Sequence, residues 1–357
     1  MFCRSTLLLI LIAIATHADA EEYLPYVDLQ SVSYSEPIAI KSMIGKWQPP
    51  FRGGSTALTY NKAEVGFRRR NWQLGILERY DYLLDFSSQT AELVYLTENH
   101  LPLEVGKDYE LRIKAKQHYS RGLRFAYQQK ISRAFTVELA ASYLQGKSLT
   151  DGGIQGTAQV TAEKDYDFQF YADYFYSRDV LFSREVSSPK GSGYGLDIKF
   201  DWQPNDRLST QLNIVDLMGK IFWNNAPNTS ATATSATKTF DADGYVRYEP
   251  AISGRESNKS FTQILPRKIF LSGKYQWSPN AELLAEIQDF EIVRFTSIGA
   301  GWCHNHRDCF QGLYNTTAKA ISLRYLGHGL RAELASDNLK LHQAHYFVVQ
   351  LSFNQNF

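Results

Sequence analysis

Three groups of side chains in this 357-residue sequence have types and spacings that could do chemistry. The first is His118-Tyr119-Ser120, a base two positions from a hydroxyl nucleophile. No Gly-x-Ser-x-Gly elbow, phosphate loop, CxxC pair or haem motif accompanies it. An enzyme is therefore not expected, nor a cofactor. The second group is Cys303-His304-Asn305-His306-Arg307-Asp308-Cys309. Thiols, imidazoles and a carboxylate this close could hold a metal, but the spacing matches no established zinc pattern. In an exported chain, Cys303 and Cys309 read as a disulfide, with no metal. The third group is a ladder of charge. Arg112, Lys114, Lys116 and His118 occupy every second position, and Arg124 shares their parity. Asp167 and Asp173, then Asp197, Lys199 and Asp201, then Lys268 and Lys274 repeat that spacing elsewhere. Charges two apart share one face of a strand, and rings of charge inside a pore set selectivity.

Strands are the elements that must carry these ladders. Tyr109, Leu111, Ile113 and Ala115 alternate with the basic set, and Phe135, Val137, Leu139, Ala141 and Tyr143 alternate with polar neighbours. The same rhythm recurs in 154–160, 168–176, 194–202 and 269–277. No long segment has the 3.6-residue period of a helix. Short connections at Lys130–Arg133, Glu163–Asp165, Gln203–Arg207, Ser278–Asn280 and Leu326–Gly329 alternate with longer ones. The longer ones are Leu144–Gly153, Arg178–Gly193, Phe222–Pro266, Thr296–Gly312 and Asp337–Gln343. Such asymmetry is expected of an outer-membrane barrel, and it places the disulfide at the tip of a long loop.

The spacing predicts strands near 57–68, 72–84, 90–99, 108–129, 134–144, 154–163, 166–177, 192–203, 207–221, 267–277, 281–295, 313–326, 330–338 and 344–357. The fold expected is all-β, a transmembrane antiparallel up-and-down barrel of about 14 strands, an even number. A hidden hairpin near Tyr119–Gly122 would shift the count within roughly 12–16. Barrel sequence is expected over 57–357. Residues 21–56, with Pro25, Pro37, Pro49 and Pro50, read as an irregular periplasmic lead-in or a segment that plugs the lumen.

Composition narrows the solvent and the partners. With 38 Lys+Arg against 37 Asp+Glu, the net charge of +1 gives no field for nucleic acid. A mean hydropathy of -0.34 excludes a bundle of membrane helices, but not a barrel, where only alternate residues meet lipid. Arg4, the apolar run Leu7–Ala15 and Ala18-Asp19-Ala20 form a signal peptide over 1–20.

The last strand carries Phe347, Val349, Leu351, Phe353 and Phe357 on one parity. A terminal Phe with apolar residues stepping back in twos resembles the signal read by the barrel-assembly machinery in Gram-negative outer-membrane β-barrel proteins, the porin-like class. The resemblance covers the leader, the hairpin rhythm from about 57 onward and the final strand. It implies the bacterial outer membrane as location. Its implied partners are outer-membrane lipid, lipopolysaccharide and the assembly machinery.

About 14 strands should enclose more space than side chains fill. The inward faces are then expected to border water, with the charged ladders as selectivity candidates. The function expected is a porin-like passive channel for small hydrophilic or acidic solutes. The alternative is a plugged structural or interaction barrel serving secretion, polysaccharide export or envelope assembly. The Phe222–Pro266 loop, rich in Thr, Ser and Ala, is expected to fold inward or remain mobile.

Overall fold

Residues that alternate in polarity form strands because successive side chains point to opposite faces, so one face can meet lipid and the other the interior. The computed structural model describes residues 23–43, 45–235, 238–240, 246–248, 251–304 and 308–354. The expected signal peptide, His306 and Phe357 lie outside them. In chain order the strands begin with β1 (Leu24–Ser35), β2 (Thr56–Arg69), β3 (Trp72–Phe86), β4 (Asp108–Lys130), β5 (Phe135–Ala162) and β6 (Asp165–Tyr176). They continue with β7 (Lys190–Trp202), β8 (Leu208–Thr234), β9 (Lys238–Phe240), β10 (Val246–Tyr248), β11 (Ala251–Ile264) and β12 (Lys268–Ser278). The last are β13 (Ala281–Asp289), β14 (Arg294–His304), β15 (Asp308–Asn315), β16 (Ala320–Gly327), β17 (Leu330–Ser336) and β18 (Tyr346–Asn354). Helix α1 (Ile40–Met43) follows β1, and α2 (Ser88–Glu98) follows β3.

Strands β1 to β5, β7, β8 and β12 to β18 pair antiparallel in that order, and β18 returns to pair with β1. The fold is a closed 14-strand antiparallel barrel of the Gram-negative outer-membrane type. The expected count is met by a different set of strands. Segment 90–99 is not a strand but lies almost wholly in α2. Ser87 starts this helix by accepting from the Thr90 amide, and the Asn99 side chain donates to the Tyr95 carbonyl at its end. Gln89, Ala91, Glu92, Leu93 and Leu96 favour the helix over the apparent alternation. Segments 134–144 and 154–163 are one strand, β5, with no loop at Leu144–Gly153, and β6 stands outside the ring. In compensation, 281–327 holds four strands where two were expected, and β1 occupies the segment expected to be irregular. Gly299-Ala300-Gly301 has the composition of a loop. Gly299, however, packs directly on the backbone of Gly312 and Leu313, an approach that needs glycine. Strand β4 runs unbroken through Tyr119–Gly122, and the adjacent irregularity is a bulge at Lys147 of β5.

The connections of the ring differ at its two ends. At one end they are 70–71, 131–134, 203–207, 279–280 and 328–329, and β1 starts and β18 stops there. The long connections lie at the other end. Cys303 and Cys309 are cross-strand partners in β14 and β15, joined by a disulfide at the short-turn end. The bond therefore forms, but it does not pin a long-loop tip. The outer turns of this region are the tight 290–293 and 316–319.

Two aromatic belts mark the outward face. Trp72, Tyr127, Trp202, Trp277 and Trp302 lie by the short turns, and Tyr80, Tyr119, Tyr143 and Tyr194 lie further along the strands. Trp72 to Tyr80, Tyr127 to Tyr119 and Trp202 to Tyr194 each span eight positions. At about 3.3 Å per residue and a tilt of roughly 40° this is a rise of about 20 Å, close to the apolar band of such barrels. Between the belts the outward side chains include the exposed Leu74, Ile76, Leu123, Phe125, Leu139 and Leu196.

Past the second belt β5 and β8 continue as an arm. The far half of β5 pairs with β6, and the far half of β8 pairs with β6 on one edge and β11 on the other. Residues 228–234 are strand rather than an inward-folding or mobile loop, because alternating Thr and small residues suit a sheet.

Within the 21–56 segment, Leu24–Ser35 is neither lead-in nor plug but wall between β18 and β2. Its outward Ser31 and Ser33 mask the alternation of Tyr26, Asp28, Gln30, Val32 and Tyr34. The chain beyond it packs on α2. Phe51 stacks on Tyr95 with centroids 4.7 Å apart, and Asn99 donates to the Trp47 carbonyl at 2.7 Å.

Candidate functional site

The interior of the ring is filled by side chains that cross it. Arg79 and Asp81 sit two apart on the inner face of β3, Asp216 lies on β8, and Lys268 opens β12. The Arg79 guanidinium donates to both oxygens of Asp216 at 2.9 and 2.7 Å and to Asp81 at 2.8 Å. The Lys268 ammonium donates to Asp81, to Asp216 at 3.0 Å and to the Pro266 carbonyl at 2.9 Å. Both cations lie over the Tyr60 ring, 5.9 and 5.2 Å from its centroid. Asp216 adopts φ 54° beside the irregularity between β7 and β8, which turns its carboxylate into the cluster. Lys268 is 0 % exposed. Two cations thus face two carboxylates in a buried centre, an arrangement that costs desolvation unless every charge is paired.

A second network adjoins it. The Asp216 amide donates to Asp197 at 2.9 Å, and Arg124 reaches Asp197, Glu138 and Glu64 at 3.4, 3.0 and 3.4 Å. Glu64 also accepts from Tyr26 at 2.6 Å and pairs with Lys62 at 2.7 Å. A third network centres on Arg324, which pairs with Glu286 at 2.7 Å and Glu333 at 2.8 Å. Gln311 links it to Glu282.

Apolar clusters fill the rest of the described interior. Leu77, Leu144, Leu149, Ile221, Trp223 and Leu265 pack together against the ion cluster's side of the ring. Across the ring, Tyr34, Phe295, Phe290 and Tyr346 form a chain of ring contacts that reaches Tyr60. The inward faces therefore do not simply border water, contrary to the expectation. Large residues on inward parity occupy the space that a wide pore would need.

The charged positions singled out from the sequence have separate fates. His118, Arg124, Asp197 and Lys268 belong to the first two networks. Lys199 and Asp201 pair with each other at 3.5 Å, and Asp201 accepts from Gln211. Lys274 approaches Glu282 at 3.7 Å. Arg112, Lys114 and Lys116 lie beyond the second belt. Arg112 is paired with Asp85 at 2.8 Å and Lys116 with Glu291 at 3.2 Å, while Lys114 is exposed. Asp167 and Asp173 are on β6 and so lie in the arm instead of the ring, because β6 pairs only with the far halves of β5 and β8. Asp173 accepts from Asn228 at 2.9 Å there.

Arg79, Asp81, Asp216, Glu64, Glu138, Arg324, Glu286 and Glu333 were not legible as a site. Inward parity of opposite charges on several strands was the available signal. His118 and Ser120 face inward and are buried, with His118 Nε2 4.0 Å from Asp81. Glu282 lies beside Cys303 and Cys309, but the sulfurs are bonded to one another and offer no thiolate pair to a metal.

One ordered site lies in the outer connection between β6 and β7. Asp179 accepts from the Tyr174 hydroxyl at 2.6 Å and from the amides of Leu181, Phe182 and Arg184. Burial alone would raise its carboxyl, but these donors hold it below the usual carboxylate range.

Residues 54–325 match the sequence model of a family described as a family of unknown function, DUF5723. No curated protein matches the chain. Among solved structures, the chain is similar to a deletion mutant of the TodX monoaromatic hydrocarbon channel, with 12% identity over 94% of this chain and 91% of that one and a TM-score of 0.46. It is also similar to the CymD monoaromatic hydrocarbon channel, with 8% identity, coverage of 94% and 89%, and a TM-score of 0.43. For the Pseudomonas putida toluene transporter TodX the identity is 10%, the coverage 95% and 90%, and the TM-score 0.41.

Proposed function

The chain belongs to the DUF5723 family, for which no function is assigned, and we propose that it is an outer-membrane channel for small hydrophilic solutes, held closed by the ion cluster of Arg79, Asp81, Asp216 and Lys268. That cluster is the observation that carries the reading. Apolar side chains of similar volume would seal the centre at lower desolvation cost. The same barrel uses such side chains on either side of the cluster. Ionisable groups retained inside a membrane span are a recurrent feature of solute and ion pathways. Ion pairs also exchange partners with water, so a charged seal can open without unfolding the wall.

A preference for acidic solutes has no support, because Arg112 and Lys116 at the mouth are already paired. The location proposed is the bacterial outer membrane, after removal of a signal peptide. Lipopolysaccharide would surround the second belt. The assembly machinery would read β18, whose Val349, Leu351 and Phe353 face outward.

Recordings in planar bilayers test the reading. Wild-type protein should give rare, small openings, and Lys268→Met should raise conductance by breaking both carboxylate contacts. If both stay silent in the bilayer and neither admits small neutral solutes to liposomes, while gels still resolve the fast-migrating folded form, the channel is refuted. The second reading, a sealed structural or interaction barrel, would then hold, as the filled interior favours.

A further inference from the structure

The ion cluster contains a square of unsatisfied polar atoms that its own pairing does not require. Arg79 and Asp81 on β3 lie directly across from Ser120 and His118 on β4. The four side chains share the inner face, and their residues are 3 %, 1 %, 0 % and 1 % exposed. Each keeps one polar atom without a hydrogen-bond partner: Arg79 Nε, Asp81 Oδ1, Ser120 Oγ and His118 Nε2. Buried polar atoms are normally satisfied, and the remaining orphans of the described chain are scattered over β1, β2, β13, β17 and β18. Four in one cross-strand square mark a place built to receive a hydrogen-bonding guest.

The guest's chemistry follows from the atoms. Arg79 Nε only donates and Asp81 Oδ1 only accepts, while Ser120 Oγ and His118 Nε2 serve in either sense. The guest must both accept and donate. Its charge is limited by the neighbours, since Arg79 and Lys268 balance Asp81 and Asp216. An added anion would face two carboxylates and an added cation two basic groups, and either would break the existing pairs. A neutral molecule exchanges hydrogen bonds with the square and leaves the charge balance intact. We propose that this square binds small neutral molecules carrying hydroxyl or amide groups, and that it makes the channel selective for them over ions.

The inference rests on the channel reading, and its test separates the two. Proteoliposomes are loaded iso-osmotically and challenged with glycerol, urea or potassium chloride. Wild-type protein should speed swelling in glycerol and urea and pass little salt. Ser120→Ala, which removes one hydrogen-bonding atom, should slow glycerol and urea entry by about fivefold. Ser120→Leu, which fills the square, should abolish entry, with folding of both variants checked by gel migration. Entry of glycerol and urea that ignores both substitutions overturns the site, whether or not Lys268→Met conducts. Accelerated water flow with both solutes excluded also overturns it and leaves bound water as the occupant. Silence in every solute and in the bilayer defeats the channel reading along with the site.

Discussion

The ion cluster and the aromatic cluster, which meet at Tyr60, seal the barrel interior by opposite chemistries. Facing β3, β4, β8 and β12, the seal is four charges and their hydrogen bonds. Facing β1, β14 and β16 to β18, it is Val32, Tyr34, Phe290, Phe295, Tyr346 and Val348. Tyr60 belongs to both, with its face under Lys268 and its ring 5.9 Å from Phe290. On the aromatic side, stability comes from volume and contact, so a neighbour of similar size can substitute. On the charged side it comes from matched partners, so the loss of one strands another. A wall closed by hydrogen bonds alone would need neither, and the contrast assigns packing to one side and switching to the other.

The largest effect that would test this contrast is on the charged side. Arg79→Ala leaves Asp81 and Asp216 with Lys268 as their main partner, and should destabilise the barrel by about 3–5 kcal/mol. The urea concentration at which the fast-migrating gel form is lost measures it. Pairing the change with Asp216→Asn should restore part of the loss, and a purely additive double variant would erase the distinction. On the aromatic side, Phe290→Ala should cost about 3 kcal/mol, at the low end because a turn residue leaves room to relax. Phe290→Leu should recover most of it in the same assay, with conductance unchanged. The smallest effect lies outside the membrane. Because the Asp179 carboxyl is lowered in the folded loop, its contribution is present above the unfolded carboxylate range, about pH 4, and is lost as pH falls through the folded value. The protection factors of the Leu181, Phe182 and Arg184 amides against hydrogen exchange should therefore fall only under acid. Asp179→Asn should lower that protection at neutral pH and make it nearly independent of pH.

Much of this was legible in the sequence, and the rest was hidden for physical reasons. Alternation reports which way a side chain faces, so Arg124, Asp197 and Lys268 could be placed on inward faces. It does not report which strand lies opposite or at what level. The partners of Arg79 come from β8 and its own strand, and those of Arg324 from β13 and β17. Asp216 sits among Ile214, Val215, Leu217 and Met218 and departs from the extended backbone, so it carried no periodic signal at all. Helix α2 was hidden because Ala91, Leu93 and Tyr95 also fit a strand. The Cys303–Cys309 bond was legible because two cysteines six apart leave few alternatives, but its end of the barrel was not. That depended on two tight turns inside a segment whose glycines imitate a loop.

The seam between β1 and β18 pairs nine residues, from Tyr26 beside Asn354 to Tyr34 beside Tyr346. It joins the first strand of the ring to the last, so neither margin finds its mate until the twelve strands between them have been laid down. Until then two rows of bare amides and carbonyls confront a hydrocarbon that offers them nothing. Zipping this join is therefore the committing act of biogenesis, and damage confined to it should yield a protein that is made but never embedded.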